Sequence, residues 1–172
     1  HTIPRNVVIG GVTYYGDYPG LAVDDEAVYL TANMFSGTPT YYGPYLWIIR
    51  KTPAYNGPDG ALFQLSYDLR ALGMGTTTTQ PAHMFGPVPN GIGAAPFGTF
   101  LVSYGGLSLG GIESVRVVSV NDPLSTLGGP FFVKQTFSCR NIDNTAAAIA
   151  DAPQLGGPAL IDTIDRRAYN AV

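Results

Sequence analysis

A unit of roughly sixty to seventy residues recurs along this sequence and stops partway through a third copy. A short Pro-containing segment begins each copy and precedes an apolar run: Asp17-Tyr18-Pro19, Gln80-Pro81-Ala82-His83 and Asp151-Ala152-Pro153-Gln154. A repeated unit constrains the fold strongly, because each copy must form the same local structure and bury its apolar face against the next. The sequence therefore predicts a stack of similar modules.

The composition indicates what those modules are made of. Hydrophobic residues make up 45% of the chain, which is enough for a packed core, while only 12% of residues are charged and 22 Gly and 14 Pro are present. This balance favours many short strands and turns over long solvated helices.

Short β-prone runs bounded by turn formers fill the first two units. The first unit has predicted strands at 27–35, 45–51 and 61–69, and the second has matching strands at 98–106, 114–121 and 131–139. Before them, Asn6–Tyr15 reads as one bulged strand or two short strands around Gly10-Gly11, and Asp17-Tyr18-Pro19-Gly20 is expected to break it. A third unit begins at Ala159–Val172, and the sequence predicts an all-β chain.

We divide residues 1–172 into a single all-β unit with four parts. Residues 1–16 form a partial module, residues 17–79 and 80–150 form two complete ones, and residues 151–172 form a second partial module.

Several segments resemble those of large bacterial secreted or cell-surface β-propeller repeat proteins: DYPGLAVDDEAVYLTANMF, LWIIRKTP, QPAHMFG, GTFLVSY, DAPQLG and IDTIDRRAYNAV. The resemblance covers most of the chain and implies antiparallel meander units that act as propeller blades, in a partial propeller of about two and a half blades. The sialidase Asp-box and the Trp-Asp and kelch signatures are missing, so those families are not indicated. A β-sandwich with Greek-key links is the alternative fold.

Two and a half blades cannot close a ring, and an open propeller would leave long sheet edges exposed. We therefore expect partners: copies of the same chain, or the remainder of a longer precursor. In one such closure, Asn6–Tyr15 of a neighbouring copy completes the C-terminal pair at Ala159–Val172. The absence of an initiating Met at His1 agrees with a removed leader or with a piece of a longer chain.

Charge and cysteine content exclude several classes of function. The net charge is −3 and the nine Lys and Arg are scattered, so no basic stripe suits nucleic acid. Cys139 is the only cysteine, which excludes an intrachain disulfide and a zinc site of paired cysteines. No run is long and apolar enough for a membrane span, and a secreted or cell-surface location is expected.

Five residues in the loops that begin the units are the candidate ligand-binding residues: Asp17, Gln80, His83, Asp151 and Gln154. Together they could ring one end of a propeller axis and bind a sugar or a cation. No cofactor is expected, and Ca²⁺ is the ion that such oxygen ligands would suit. The competing interpretation is that Asp before Pro caps a turn and that the His83 ring packs under its loop and bonds a backbone carbonyl.

Other groups have simpler interpretations. Asp24-Asp25-Glu26 reads as a solvated hairpin turn, and Asp162, Asp165, Arg166 and Arg167 read as ion pairs across a hairpin. Six aromatic residues could form a surface for sugars or a protein partner, although some must alternate into the core: Tyr14, Tyr15, Tyr41, Tyr42, Tyr45 and Trp47.

No catalytic motif stands out, and Gly-rich pieces match neither a phosphate loop nor a nucleophile elbow. The sequence favours a non-catalytic structural or binding module of an extracellular bacterial protein, part of a larger propeller or self-assembling. The alternative is a propeller-based carbohydrate-active hydrolase or lyase that uses loop carboxylates.

Overall fold

The chain is all-β, with one short helix in the part that the structure describes. The structure is a computed structural model, which describes residues 3–4, 6–37, 40–55, 63–75, 78–86, 96–104, 113–140, 152–153, 160–161 and 171. Its elements follow in chain order: β1 (Asn6–Ile9), β2 (Val12–Val23), β3 (Ala27–Ser36), β4 (Tyr41–Arg50), α1 (Lys51–Tyr55), β5 (Gln64–Asp68), β6 (Gln80–Pro81), β7 (Phe97–Tyr104), β8 (Glu113–Asn121), β9 (Phe131–Arg140), β10 (Ala152–Pro153) and β11 (Leu160–Ile161).

These strands form two antiparallel meanders and a small pair. The first sheet has the order β1-β2-β3-β4-β5 and is strongly curled, and the second has the order β6-β7-β8-β9. Strands β10 and β11 pair separately, and Ala171 forms a parallel bridge to Ala82. Within the described sheets every neighbour is consecutive in sequence, so the Greek-key links of the sandwich alternative are not found there.

The predicted strands of the two units occupy equivalent places in the two sheets. Those of the first unit lie in β3, β4 and β5, and those of the second lie in β7, β8 and β9. The division of the chain into modules at the predicted boundaries stays a prediction, because most of residues 141–172 lie outside the described part.

The N-terminal segment Asn6–Tyr15 forms a hairpin within its own sheet. Gly10 and Gly11 have φ of 58° and 82°, the left-handed pair that a two-residue hairpin turn requires, so the interpretation as two strands is confirmed, although the second, β2, has 12 residues. The predicted break after Tyr15 is wrong. Strand β2 continues through it with a bulge between Asp17 and Gly20, where Tyr18 has φ of 55°.

The main core lies between the two sheets. Alternating residues of the first sheet supply one side and those of the second sheet supply the other: Ala27, Tyr29, Leu46, Ile48, Leu69, Leu101, Val118 and Val120. At its margin the ring of Phe132 on β9 meets that of Tyr67 on β5 edge-on, with centroids 5.4 Å apart. The two sheets therefore pack face to face.

A polar seam joins the segment before β6 to the inner face of β3. Thr31 Oγ1 donates to the Thr79 carbonyl at 2.7 Å, Asn33 Nδ2 donates to Thr78 Oγ1 at 2.9 Å, and Thr78 N donates to Asn33 Oδ1 at 3.1 Å. All of these residues and Gln80 are buried. Because each buried polar group needs a partner, these bonds fix where the second unit begins on the first.

Asp24 is buried, which corrects the prediction that its turn is wholly solvated. Its Oδ1 accepts hydrogen bonds from the backbone N–H groups of Glu26 at 2.8 Å and Ala27 at 2.6 Å, and its Oδ2 accepts one from the Tyr29 hydroxyl at 2.5 Å. Lys51 Nζ donates to the Asp24 carbonyl. Burial, followed by the bond to Asp24, raises the pKa of Tyr29 far above its usual range.

Candidate functional site

Four aromatic side chains lie together on the face of the first sheet that points away from the core. Because side chains alternate along a strand, Tyr45 and Trp47 on β4 point opposite to Leu46, and Tyr14 on β2 joins them. Ring centroids are 4.7 Å apart for Tyr14 and Tyr42 and 4.9 Å apart for Tyr45 and Trp47. We call these four residues the aromatic face.

The other two aromatic residues of the predicted surface lie on the opposite side of the sheet. Tyr15 and Tyr41 both pack against Phe35, at centroid distances of 6.0 and 5.5 Å. The structure therefore brings four of the six aromatic residues together and separates two.

A polar network borders the aromatic face at Tyr42. The Tyr42 hydroxyl donates to Asp68 Oδ2 at 2.6 Å, and that bond raises the pKa of Tyr42. Arg70 lies with its guanidinium 4.6 Å from the Tyr42 ring centroid and donates through Nη1 to the Tyr42 carbonyl at 2.8 Å. Aromatic rings beside a carboxylate and a guanidinium can stack on a sugar ring and bond its hydroxyl groups.

An apolar pocket of about 140 Å³ opens on the same side of the first sheet. Segments from the N-terminus, the β2 bulge and strands β3 and β4 line it: Ile3, Pro4, Gly16, Pro19, Leu30, Ala32 and Trp47. None of these lining residues is charged, and Trp47 is 3% exposed. We call this the Trp47 pocket.

The outward side of the second sheet is apolar as well. Phe100, Phe131 and Phe137 lie on it with exposed fractions of 38%, 53% and 51%, and we call these three residues the phenylalanine face. Between them runs a groove of about 90 Å³ lined by Phe100, Val117, Ser119, Val133 and Gln135.

The predicted ligand-binding residues in the loops have different surroundings. Asp17 is exposed and its Oδ1 accepts a bond from the Tyr18 N–H at 2.8 Å, whereas Gln80 is buried at the polar seam. Asp151 and Gln154 lie outside the described residues. A shared site for these residues stays a prediction.

His83 packs against an exposed aromatic neighbour. Its ring stacks on Phe85 with a centroid distance of 5.9 Å and an interplanar angle of 16°. The backbone N–H of His83 donates to the Ala171 carbonyl at 3.4 Å, while Nδ1 is buried without a hydrogen-bond partner among the described residues. A functional role for this imidazole stays a prediction.

Neither a metal-binding cluster nor a membrane-spanning helix is present among the described residues. No group of three or more His, Cys, Asp or Glu side chains that could hold a metal ion lies among them. No helix in that part is both long and apolar enough to cross a membrane. Asp162, Asp165, Arg166 and Arg167 lie outside it, so their predicted ion pairs are not described.

Sequence reasoning missed the Trp47 pocket, the polar network at Asp68 and Arg70, and the phenylalanine face. The alternation of Phe131, Val133, Gln135 and Phe137 was a readable signal for an apolar outer face. The pocket had no such signal, because Ile3, Gly16 and Trp47 meet only in the folded sheet.

No protein-family model, curated protein or solved structure matches this chain.

Proposed function

We propose that this chain is a non-catalytic structural or binding module of an extracellular bacterial protein. Its five-stranded and four-stranded sheets act as blades of a larger propeller, which copies of the chain or the rest of a longer precursor complete. The observation that supports this proposal most directly is that both sheets have apolar outer faces in addition to the apolar core between them.

An antiparallel sheet at the surface of a two-layer domain usually has one apolar and one solvated face. Here the first sheet has a second cluster of Ala32, Met34 and Trp47 on its outer side, which the chain itself buries, while Leu21 on the same side is 57% exposed. The second sheet presents the phenylalanine face. Sheets that are apolar on both sides are suited to a radial stack, in which each blade is covered by the next.

The successive meanders support the same proposal. Each unit runs through consecutive antiparallel strands, and the polar seam fixes the beginning of the second unit against β3 of the first. The N-terminal hairpin is paired within its own sheet, so copies would associate through faces and not by exchanging Asn6–Tyr15. The extracellular location rests on composition, chiefly the 12% of charged residues and the single cysteine.

Glycan is the ligand that the polar end of the aromatic face would suit, through the rings of Tyr14 and Tyr42 and the charged groups of Asp68 and Arg70. A glycan panel with wild type and Tyr42→Ala tests this, and Tyr55→Ala is the control because Tyr55 is 77% exposed on α1. We expect binding that Tyr42→Ala lowers at least tenfold and Tyr55→Ala leaves unchanged. Equal binding by all three would contradict the site.

The same glycan panel distinguishes the non-catalytic module from the alternative, a carbohydrate-active hydrolase or lyase. Products of hydrolysis or elimination that disappear in Asp17→Asn would support the carbohydrate-active enzyme. An unmodified glycan after long incubation would support the non-catalytic module.

A further inference from the structure

The Trp47 pocket has the size and chemistry of a receptor for one apolar ring. An apolar cavity of about 150 Å³ in another protein stays dry and holds a benzene molecule, and this pocket measures about 140 Å³. Its lining is aliphatic or aromatic, with Leu30, Ala32 and Trp47 at the sheet and two prolines beside them. Water there would find few polar partners, so an apolar group should displace it readily.

The phenylalanine face supplies matching groups on the same chain. Phe131 and Phe137 lie on the edge strand β9 and are each more than half exposed. Their strand already packs a phenylalanine onto the first sheet within one chain, since Phe132 meets Tyr67 at 5.4 Å. Because side chains alternate along a strand, residues 131, 133, 135 and 137 point away from the core, onto the outer face of the second sheet.

We propose that the Trp47 pocket receives the side chain of Phe131 or Phe137 from a second copy of this chain. The proposal rests on the self-association proposed above and names the residues that carry it. Neither surface has a charged residue among those that define it, so closing the contact would leave no buried charge unpaired.

This contact joins two different surfaces and is therefore heterologous. Pocket and phenylalanines lie on the outer faces of different sheets, so a copy that offers its pocket to one neighbour can offer its phenylalanines to another. Such a contact produces a ring if the rotation closes, and an open chain of copies otherwise.

Two variants remove opposite halves of the contact. Ala32→Leu fills the pocket, and the double variant Phe131→Ser/Phe137→Ser removes the rings from exposed positions where the fold does not need them. Ala71→Leu and Leu127→Ser are matched controls, because Ala71 is on an exposed turn and Leu127 is 91% exposed in the loop between β8 and β9. Trp47 is the only tryptophan, so its fluorescence reports directly on whether the pocket is occupied.

In sedimentation velocity we expect each contact variant alone to raise the dissociation constant of the wild-type assembly tenfold or more, as removal of a buried aromatic anchor does. The controls should match wild type. An equimolar mixture of the two contact variants should form a dimer and shift Trp47 emission, because one intact contact remains between an unfilled pocket and an unaltered phenylalanine pair.

The outcomes distinguish a failure of the Trp47 pocket contact from a failure of the proposed self-association. If both contact variants assemble like wild type, the pocket is not the contact, although self-association stands. If the mixture forms no dimer, the heterologous pairing is wrong. A wild type that is a cooperatively folded monomer at micromolar concentration would overturn the proposed self-association itself. Should Ala32→Leu fail to fold, the double variant and its loss of the Trp47 emission shift still decide the question.

Discussion

Replacing Tyr29 by Phe removes one buried hydrogen bond and almost nothing else. The hydroxyl donates to Asp24 Oδ2 at 2.5 Å, the Tyr29 side chain is 0% exposed and Asp24 is 5% exposed. Around the hydroxyl the packing is tight, because a Cβ at Gly98 would collide with it. Since the ring of Phe fills the same space, the perturbation isolates the bond.

The expected loss of stability arises because the Asp24 carboxylate stays buried after its Tyr29 donor is removed. Asp24 Oδ1 keeps its two backbone N–H donors, whereas Oδ2 loses its Tyr29 donor inside the protein. A hydrogen bond to a charged group contributes about 1.5–3 kcal/mol, so we expect the free energy of unfolding to fall by about 2 kcal/mol. For a chain of this length each kcal/mol corresponds to roughly 2–4 °C, which gives a loss of about 4–8 °C in Tm.

Urea unfolding followed by circular dichroism measures this difference, with a lower midpoint and an unchanged m value. Tyr45→Phe is the matched control, because the Tyr45 hydroxyl makes only an exposed bond of 3.4 Å to Ser66 and should cost less than about 0.5 kcal/mol. Equal stabilities of the two variants would refute the assignment of Asp24 as a buried, paired carboxylate.

Three further perturbations test the buried hydrogen bonds and close contacts of the two sheets. Because burial raises the pKa of Tyr29 above its usual value of 10.0 on folding, its contribution is complete well below pH 10 and is lost as the pH rises above it. Between pH 10 and 11.5 the free energy of unfolding of wild type should fall by about 1.6 kcal/mol more than that of Tyr29→Phe, and parallel curves would contradict this. Gly20→Ala should destabilise by about 1–3 kcal/mol, since its Cβ would lie 2.7 Å from Thr31 Oγ1 and 2.8 Å from Pro81 Cδ, whereas Gly37→Ala meets nothing within 4 Å and is the control in thermal melts. Asn33→Ala removes two buried bonds of the polar seam and should cost about 2–4 kcal/mol in urea unfolding; a loss below 1 kcal/mol would show that the seam does not hold the units together.

Local chemistry made the strand positions predictable. Glycines at 10 and 11 adopt left-handed φ without a side-chain penalty, so a hairpin there follows from the residues alone. Continuous apolar runs in β3 and β4 likewise indicate strands that are buried on both sides. The all-β class was confirmed on this basis.

Long-range packing determines two features that local sequence patterns do not predict, the β2 bulge and the burial of Asp24. The bulge that carries β2 through Asp17–Gly20 exists because β3 continues to pair on both sides of it, and local turn propensity alone predicted a break. Asp24 is in a polar run that reads as solvated, yet the Tyr29 hydroxyl and two N–H groups pair it inside the protein.

The candidate surfaces were predictable only in part. Tyr14 and Tyr42 meet because of a bulge in the pairing of β3 with β4, between Met34 and Phe35, which no short-range pattern encodes. The Trp47 pocket combines residues from four segments of the chain, so its volume depends on the curl of the first sheet.

The molar mass of the purified chain in solution tests the central claim most directly. One copy has a mass of 18.2 kDa, and sedimentation velocity over a series of micromolar concentrations distinguishes it from multiples of that mass. We expect a defined multiple, because one chain leaves the phenylalanine face of the second sheet uncovered. A single species of 18.2 kDa that unfolds cooperatively would contradict the claim that copies of this chain complete the module.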